Sequence, residues 1–276
     1  MTEKTSTSRG VNGARTLTPA DLAKGLPSII SNLPSVLNGL RIVRTSRSSD
    51  LVSIGKRFET LAAKQPDAPF VRFLGTEVTY GEANKRANRF AAILKNNGVT
   101  RGDTVGVCMT NRTEVMLAIL GAVKAGASVG LLNHHQQGDV LDHSQKILES
   151  KVVLVGSECE ESFNSVPRED WIGKLIAVSS PIDLPYRGLI AGDRPESMSD
   201  LPWLEDELAA LEDSVGDENF PDAAETVGTE TAYYIFTSGT TGLPKASTMS
   251  HYRWNRALAG FGLSGVRLKK DDVLLC

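Results

Sequence analysis

Short β-branched runs alternate with longer helical segments along most of the sequence after Asp50. The runs TVGVCM, SVGLLN and KVVLVG, which begin at Thr104, Ser128 and Lys151, are apolar on both sides of the strand. A strand that is apolar on both sides needs cover on both faces, as in a parallel sheet between two layers of helices. The alternation therefore predicts an α/β fold with parallel sheets flanked by helices.

The segments between these runs carry local helix and strand signals. Thr79 and Glu82 form a capping box for a helix with one apolar face, and Gly98 is placed to end that helix. The segment TEVMLAILGAVKAG predicts a mostly apolar helix, and residues 138–149 predict a polar one. Ahead of all of them, FVRFLGTEVTY has the pattern of a strand pair.

The N-terminal part of the chain differs in composition from the rest. Residues 1–16 are rich in Ser, Thr and Gly, and we expect a disordered tail because they offer too little apolar surface to offset the entropy of ordering. Residues 17–47 carry a helical apolar stripe interrupted by Pro34, and no acidic residue lies between Asp21 and Asp50. Such a basic amphipathic segment can lie on an anionic membrane surface or pack onto the protein's own body.

Two parts of the sequence concentrate side chains that can bind cations. Residues 181–230 are strongly acidic, and we expect a solvated loop with one short helix at WLEDELAAL, the alternative being a cation site. Helix capping and ordinary surface histidines explain a second group more simply than a metal does, so we predict no metal centre. That second group comprises His134, His135, Asp139, Asp142 and His143.

Composition excludes several classes of protein. A formal net charge of -3 gives no general attraction to nucleic acid, so we expect no nucleic-acid partner. Cys108, Cys159 and Cys276 lack the spacing of a disulfide framework or a zinc site, and Cys108 has the setting of an inert core thiol. No run of about 18 apolar residues occurs, and the first residues lack a signal peptide. We expect a cytoplasmic protein, or one held peripherally on the inner face of the membrane.

The strongest chemical signal is the loop TSGTTGLPK at residues 237–245. Its glycines allow tight turns that present backbone N–H groups, its hydroxyls add donors, and its lysine adds a positive charge, which together suit a polyphosphate. Charge-assisted hydrogen bonds of about 1.5 to 3 kcal/mol each are strong enough to orient a triphosphate. The predicted phosphate-binding residues are Thr237, Ser238, Gly239, Thr240, Thr241, Gly242 and Lys245, with Lys245 also the candidate catalytic residue.

Spacing separates this loop from a Walker A motif, which needs Gly-x-x-x-x-Gly-Lys-Ser/Thr leading into a helix. Here the flanking segments AYYIF and STMSH are rich in strand formers. We therefore predict a turn between two strands, the first ending near Thr237 and the second beginning near Ser247. A flexible Gly/Thr turn without a ligand is the alternative, but the run of small and hydroxylated residues followed by Pro-Lys favours a phosphate loop.

The loop resembles the signature of adenylate-forming enzymes, the superfamily of acyl-CoA synthetases, luciferases and nonribosomal peptide adenylation domains. The segment from VTYGEANKRANRF to KAGASVGLLN is similar to the first core segment of that family, so the resemblance covers about residues 55–276. Lys245 followed by Ala246, the LLN segment and His143 look most like the very-long-chain acyl-CoA synthetase and fatty acid transport protein branch. The NHH at residues 133–135 departs from the more usual Asn-x-Asn.

The resemblance implies ATP-dependent activation of a long- or very-long-chain fatty acid. In that reaction the fatty carboxylate attacks the α-phosphorus of Mg2+-bound ATP to give acyl-adenylate and pyrophosphate, and coenzyme A then displaces AMP. The loop would hold the β and γ phosphates as they leave. By the same resemblance His251 would lie near the acyl or adenylate end of the site, the alternative being a histidine at the end of a strand.

The same resemblance implies that the chain holds only part of the fold. Residues 50–276 would form an incomplete AMP-binding N-terminal domain, preceded by the separate segment 1–49. The family's Tyr-Gly-x-Thr-Glu, Tyr-x-x-Gly-Asp and catalytic-lysine segments do not occur, and residues 273–276 look like a buried strand that runs into the chain end. We therefore expect a missing C-terminal half and a chain that is inactive alone. The alternative is a non-catalytic nucleotide-binding or partner module completed in trans.

Overall fold

The computed structural model describes residues 19–213, 215–237, 242–269 and 272–274. The chain divides into two compact units, one comprising Arg47–Asn255 and the other Met1–Ser46 with Arg256–Cys276. The tail at residues 1–16, which was predicted to be disordered, lies outside the described residues. Within those residues no helix is long and apolar enough to cross a membrane.

Two sheets organise the unit Arg47–Asn255. A small antiparallel hairpin confirms the predicted strand pair and comprises β1 (Pro69–Phe73) and β2 (Thr76–Thr79). The larger sheet comprises β3 (Thr104–Cys108), β4 (Ser128–Leu131), β5 (Val152–Gly156), β6 (Lys174–Val178), β7 (Thr231–Thr237) and β8 (Lys245–Ser250). Its strand order is β6-β5-β3-β4-β7-β8. All neighbours in it are parallel except β7 and β8, so the predicted parallel α/β sheet is confirmed.

Helices cover both faces of the larger sheet, as the apolar strands predicted. Val107 of β3 packs into an apolar cluster with residues of the second, third and fourth helices, whereas the next residue, Cys108, packs into a second cluster with Leu141 and Phe163. In chain order, the helices of both units that the structure describes are α1 (Pro19–Thr45), which belongs to the other unit, α2 (Ile54–Lys64), α3 (Tyr80–Asn96), α4 (Thr113–Lys124), α5 (Gly138–Leu148), α6 (Glu160–Asn164), α7 (Leu204–Ala209), α8 (Asp222–Glu225) and α9 (His251–Ala257).

Local sequence signals set several element ends. Thr79 Oγ1 accepts a hydrogen bond from the N–H of Glu82 at 3.2 Å, which confirms the Thr79 half of the predicted capping box, while the Glu82 carboxylate pairs with Arg86. Gly98 follows that helix with a φ of 81°, a left-handed conformation that favours glycine. In the acidic region of residues 181–230, α7 forms within WLEDELAAL as expected, but the expectation of a single short helix is wrong, because α8 and two 3-10 helices, at Pro185–Arg187 and Glu196–Met198, also form there.

A buried lysine ties the helices on one face of the sheet together. Lys124 at the end of α4 is fully buried, and its Nζ donates to Glu59 Oε1 of α2 at 2.7 Å and Asn84 Oδ1 of α3 at 2.9 Å. A third bond, of 3.0 Å, reaches Asn219 Oδ1. Burial lowers the pKa of Lys124 to about 8, while Glu59 opposes that shift.

In the other unit, α1 continues through Pro27 and Pro34, although the sequence predicted an interruption at Pro34. Proline removes one backbone donor from a helix, but the helix continues past both prolines. One face of α1 lies against a π-helix at Leu258–Gly265, where Ser35 Oγ donates to the carbonyl oxygen of Leu263 at 3.2 Å. Gly39 is so close to this π-helix that an added Cβ would lie 2.3 Å from Ser264 Oγ.

The predicted buried strand at residues 273–276 is wrong where the structure describes it. Val273 is 81% exposed and Leu274 is 69% exposed, and neither lies in a strand. The prediction followed residue type alone, but a strand is buried only where neighbouring elements cover it. Cys276 lies outside the described residues.

Candidate phosphate-binding site

The loop of residues 237–245 joins the two antiparallel strands of the larger sheet. β7 ends at Thr237, β8 begins at Lys245, and these two residues are paired across the strands. Thr237 Oγ1 donates to the carbonyl oxygen of Lys245 across 3.5 Å. The predicted turn between strands is therefore confirmed, although β8 begins earlier than the expected Ser247. The remaining predicted phosphate ligands lie outside the described residues and are Ser238, Gly239, Thr240 and Thr241.

The described ends of the loop present polar groups to solvent. Thr237, Gly242 and Lys245 are all exposed. Gly242 has a φ of 91°, and a Cβ added there would meet no atom within 4 Å. Glycine is therefore required by the backbone conformation and not by crowding. An exposed ammonium group beside an open stretch of backbone fits the phosphate groups of a nucleotide.

The loop lies at the edge of the sheet where the parallel strands end. β7 runs parallel to β4, so Thr237 shares this carboxyl edge with the ends of β3, β4 and β5. The chain passes from β3 to β4 on one side and from β5 to β6 on the other. Such a reversal of strand order opens a crevice at the carboxyl ends, which is where open α/β sheets bind ligands.

A buried ion pair joins the ends of β3 and β5 at this carboxyl edge. Arg112 Nε lies 3.2 Å from Glu158 Oε1, and both side chains are fully buried. The Arg112 guanidinium also donates to the carbonyl oxygens of Ser179 at 2.8 Å and Val178 at 3.0 Å, at the end of β6. Glu158 Oε1 accepts from the N–H of Thr110 at 2.9 Å. Three strand ends are thus fixed by charged groups that the sequence did not single out.

The histidines and acids near α5 have separate partners. Asp142 forms an ion pair of 2.7 Å with Lys146, and the rings of His134 and His135 lie 4.0 Å apart. Burial, followed by the charge of His135, lowers the pKa of His134. His143 Nε2 lies 3.2 Å from the carbonyl oxygen of Pro244, at the end of the phosphate loop. Across the described residues, no group of three or more His, Cys, Asp or Glu side chains is placed to hold a metal ion.

His251 lies at the opposite end of β8 from Lys245. It is the first residue of α9, is 2% exposed, and its Nδ1 accepts a hydrogen bond from the N–H of Ile54 at 3.2 Å. Burial lowers the pKa of His251 to about 4, although the carboxylate of Glu230 opposes the shift. The neutral ring therefore accepts a backbone hydrogen bond at the first residue of α2. A contact of His251 with the acyl or adenylate group stays a prediction.

Comparison with known proteins agrees with the geometry of the loop and sheet. Residues 58–276 match the family described as AMP-binding enzyme. The chain belongs to this family. The match includes the larger sheet, the helices on both of its faces and the phosphate loop, so the resemblance found in the sequence is confirmed.

Fatty-acid enzymes and transport proteins are among the relatives. The chain is 37% identical over 254 residues to the medium/long-chain-fatty-acid–CoA ligase FadD6 of Mycobacterium tuberculosis, covering 92% of this chain and 38% of that protein. It is 29% identical over 249 residues to the mouse long-chain fatty acid transport protein 6, covering 88% of this chain and 36% of that protein. The chain therefore spans well under half the length of these relatives.

Solved structures show the same fold at lower sequence identity. The anthranilate CoA ligase AuaEII in complex with anthranoyl-AMP superposes with a TM-score of 0.61 at 18% identity, covering 75% of this chain and 36% of that chain. At this identity the likeness concerns the fold alone. The fold is that of the N-terminal part of adenylate-forming enzymes.

Proposed function

We propose that residues 50–276 supply the phosphate-binding part of an AMP-forming fatty acid–CoA ligase. The observation that carries the proposal is the loop of residues 237–245, which joins β7 and β8 at the carboxyl edge of the sheet and leaves Lys245 exposed. A compact ammonium group there can pair with the terminal phosphates of ATP. Thr237 lies on the other side of the loop, where its hydroxyl donates to the carbonyl oxygen of Lys245 and links the two ends of the loop.

The proposed reaction has two steps with separate demands on the protein. A fatty carboxylate displaces pyrophosphate from the α-phosphorus of ATP, and the thiol of coenzyme A then displaces AMP from the acyl-adenylate. Negative charge grows on the β and γ phosphates as the bond to the α-phosphorus breaks. Lys245 and the loop donors stabilise that charge in the transition state, so we assign Lys245 the catalytic role.

Magnesium would accompany the nucleotide in this reaction and neutralise part of the phosphate charge. The described residues offer it no cluster of three carboxylate or imidazole ligands. We therefore assign no step to the ion and place only the phosphate contacts on this chain. The acyl site, the ribose site and the coenzyme A site would be completed by sequence outside these residues, because the named relatives are much longer.

A long or very long fatty acid is the substrate class that we favour. The support is that relatives carry medium- and long-chain fatty-acid names. A cytoplasmic location would place the enzyme beside the soluble substrates ATP and coenzyme A. A nucleotide-binding or partner module completed in trans is the alternative, and it predicts the same phosphate contacts without thioester formation by this chain alone.

We further propose that α1 lies on an anionic membrane from which fatty acid is taken. Its face away from the π-helix leaves Ile30, Leu33, Leu37 and Leu40 between 46% and 62% exposed. These four follow the spacing of one helix face, and basic residues follow at Arg41 and Arg44. The chain should sediment with anionic vesicles, and the pair Leu33→Glu with Leu37→Glu should abolish sedimentation. Equal sedimentation of both proteins would contradict the membrane contact.

Calorimetric titration of the 276-residue chain tests the phosphate site. Because the loop supplies only phosphate contacts, we expect dissociation constants near the millimolar level for pyrophosphate, ATP and GTP alike, or about -4 kcal/mol. Lys245→Ala should weaken all three, whereas Lys64→Ala, which removes an exposed lysine of α2, should weaken none. Equal loss in both variants would refute a specific site.

A coupled assay of acyl-CoA formation tests whether this chain needs the remainder of a ligase for activity. The purified chain should form no acyl-CoA from fatty acid, ATP and coenzyme A above the level of the Lys245→Ala variant. Thioester formation above that level would show that the chain holds a complete active site.

A further inference from the structure

His143 reaches the end of the phosphate loop from a different layer of the fold. It lies on α5, and its Nε2 is 3.2 Å from the carbonyl oxygen of Pro244. Pro244 is buried although Leu243 and Lys245 on either side of it are exposed. The loop is therefore held at one internal point between two residues that face solvent, and His143 supplies the polar contact at that point.

The chemistry of the contact fixes which atom donates. A carbonyl oxygen only accepts, so the hydrogen must lie on Nε2 of His143. The carbonyl of Pro244 belongs to the same planar peptide group as the N–H of Lys245. Holding that oxygen therefore sets the orientation of the peptide from which Lys245 begins. The proline ring fixes φ at Pro244 to about -65° and removes a further degree of freedom.

The helix that carries His143 is itself anchored by hydrogen bonds. The Gln145 side chain accepts from the N–H of Ile172 at 2.9 Å and donates to the carbonyl oxygen of Asp170 at 2.8 Å. At the start of α5, the N–H of Gly138 donates to Ser165 Oγ at 2.8 Å. Both ends of the helix are thus tied to neighbouring segments, so the imidazole is a donor on a rigid support.

We propose that His143 is a positioning residue that sets the direction of Lys245 by holding the carbonyl group of Pro244. The proposal rests on the function proposed for the loop, whose ligand is the pyrophosphate portion of a nucleoside triphosphate. His143 acts on that ligand only through Pro244 and Lys245.

Two substitutions separate the hydrogen bond from the volume of the side chain. His143→Leu removes the donor, whereas His143→Gln retains an N–H donor on a side chain of similar reach. His135→Leu, on the exposed neighbour in the same segment, is the matched control. In His143→Leu we expect amide exchange at Leu243 and Lys245 to be about fivefold to tenfold faster than in the parent. We also expect pyrophosphate to bind about fivefold to tenfold less tightly, which is the size of one hydrogen bond. The His143→Gln and His135→Leu variants should stay within about twofold of the parent, since both keep a donor beside Pro244.

Three results would overturn the inference. The first is parent-like exchange at Leu243 and Lys245 in a folded His143→Leu variant, and the second is no rescue in a folded His143→Gln variant. The third needs no substitution: it is a 15N chemical shift of the His143 ring in the parent that shows Nε2 without a hydrogen. Equal pyrophosphate binding by the parent and Lys245→Ala would instead refute the proposed function, while the exchange and 15N results still decide the role of His143.

Discussion

Lys245 is the first residue of β8 and His251 directly follows the last one, yet one is exposed and the other is buried. Lys245 is exposed at the carboxyl edge of the sheet, whereas His251 is 2% exposed at the other edge and bonded to a backbone N–H. Both residue types bind phosphate in other proteins; Lys245 ends the phosphate signature and His251 follows it six residues later. The difference shows that burial decides which of the two side chains is accessible to a ligand and which one stabilises the fold.

The largest effect should come from a buried charge that lies at the same edge as Lys245. Glu158→Ala removes the fully buried carboxylate beside Arg112 and leaves that guanidinium with only the more distant Glu114 carboxylate, at 3.6 Å. Removing one partner of a buried pair costs about 3 to 5 kcal/mol of unfolding free energy. Urea unfolding measures the loss. Replacing both partners, with Arg112→Met and Glu158→Leu, should cost less than Glu158→Ala alone, and the reverse order would show that the pair does not act as a unit.

The second effect concerns pH at the His251 end of the strand. Burial lowers the pKa of His251 from its ordinary value of 6.5 to about 4, so the unfolded chain binds this proton more readily than the folded one. The stabilising effect of the neutral ring is complete above pH 6.5 and is lost as pH falls toward 4, by about 3 kcal/mol.

A variant isolates this proton from the other titrating groups. His251→Asn keeps an acceptor near the N–H of Ile54 but does not titrate. Urea unfolding between pH 7 and pH 4 should therefore show a shallower decline for His251→Asn than for the parent. Parallel curves would mean that His251 is already accessible to protons in the folded state.

The third effect separates binding from stability at the Lys245 end. Lys245→Ala should weaken pyrophosphate binding by about 1.5 to 3 kcal/mol, the range for a hydrogen bond to a charged group. Its unfolding free energy should change by no more than about 0.5 kcal/mol, because the side chain is exposed. A large loss of stability with unchanged pyrophosphate binding would show that Lys245 stabilises the fold and does not bind the ligand.

The smallest effect concerns the backbone of the loop. Gly242→Ala should cost about 1 kcal/mol of stability, because its φ of 91° is unfavourable for alanine although the space is open. Gly75→Ala is a matched control in the β1–β2 turn, with a φ of 81° and equally open space. Both variants should lose similar stability, but only Gly242→Ala should weaken pyrophosphate binding. Equal binding losses would show a global effect.

Patterns that lie close together in the sequence were predictable. The cap of α3 at Thr79, the apolar strands and the strand–turn–strand form of the loop each depend on no more than about twenty consecutive residues, within reach of periodicity and turn rules. The antiparallel pairing of Thr237 with Lys245 follows from the same short range. These features predicted the fold class, which is confirmed, and the hairpin that carries the candidate phosphate loop.

Contacts between distant segments were not predictable from the same patterns. Nothing local to Arg112 indicates Glu158 as its partner, because β5 first has to pair beside β3. His143 was singled out as a family feature and weighed as a metal ligand, and its contact with Pro244 joins segments about a hundred residues apart. The apolar residues at 273–276 suggested burial, but residue type does not say whether a neighbouring strand is there to cover them.

The strand order has a consequence for how the chain emerges from the ribosome. β4 has β3 on one side early in synthesis, but its other neighbour, β7, lies about a hundred residues further along. At about 5 to 20 residues per second, the free edge of β4 waits several seconds for its partner. An unpaired strand edge can pair with other chains, so we expect the nascent protein to be prone to misassembly until the β7–β8 hairpin is made.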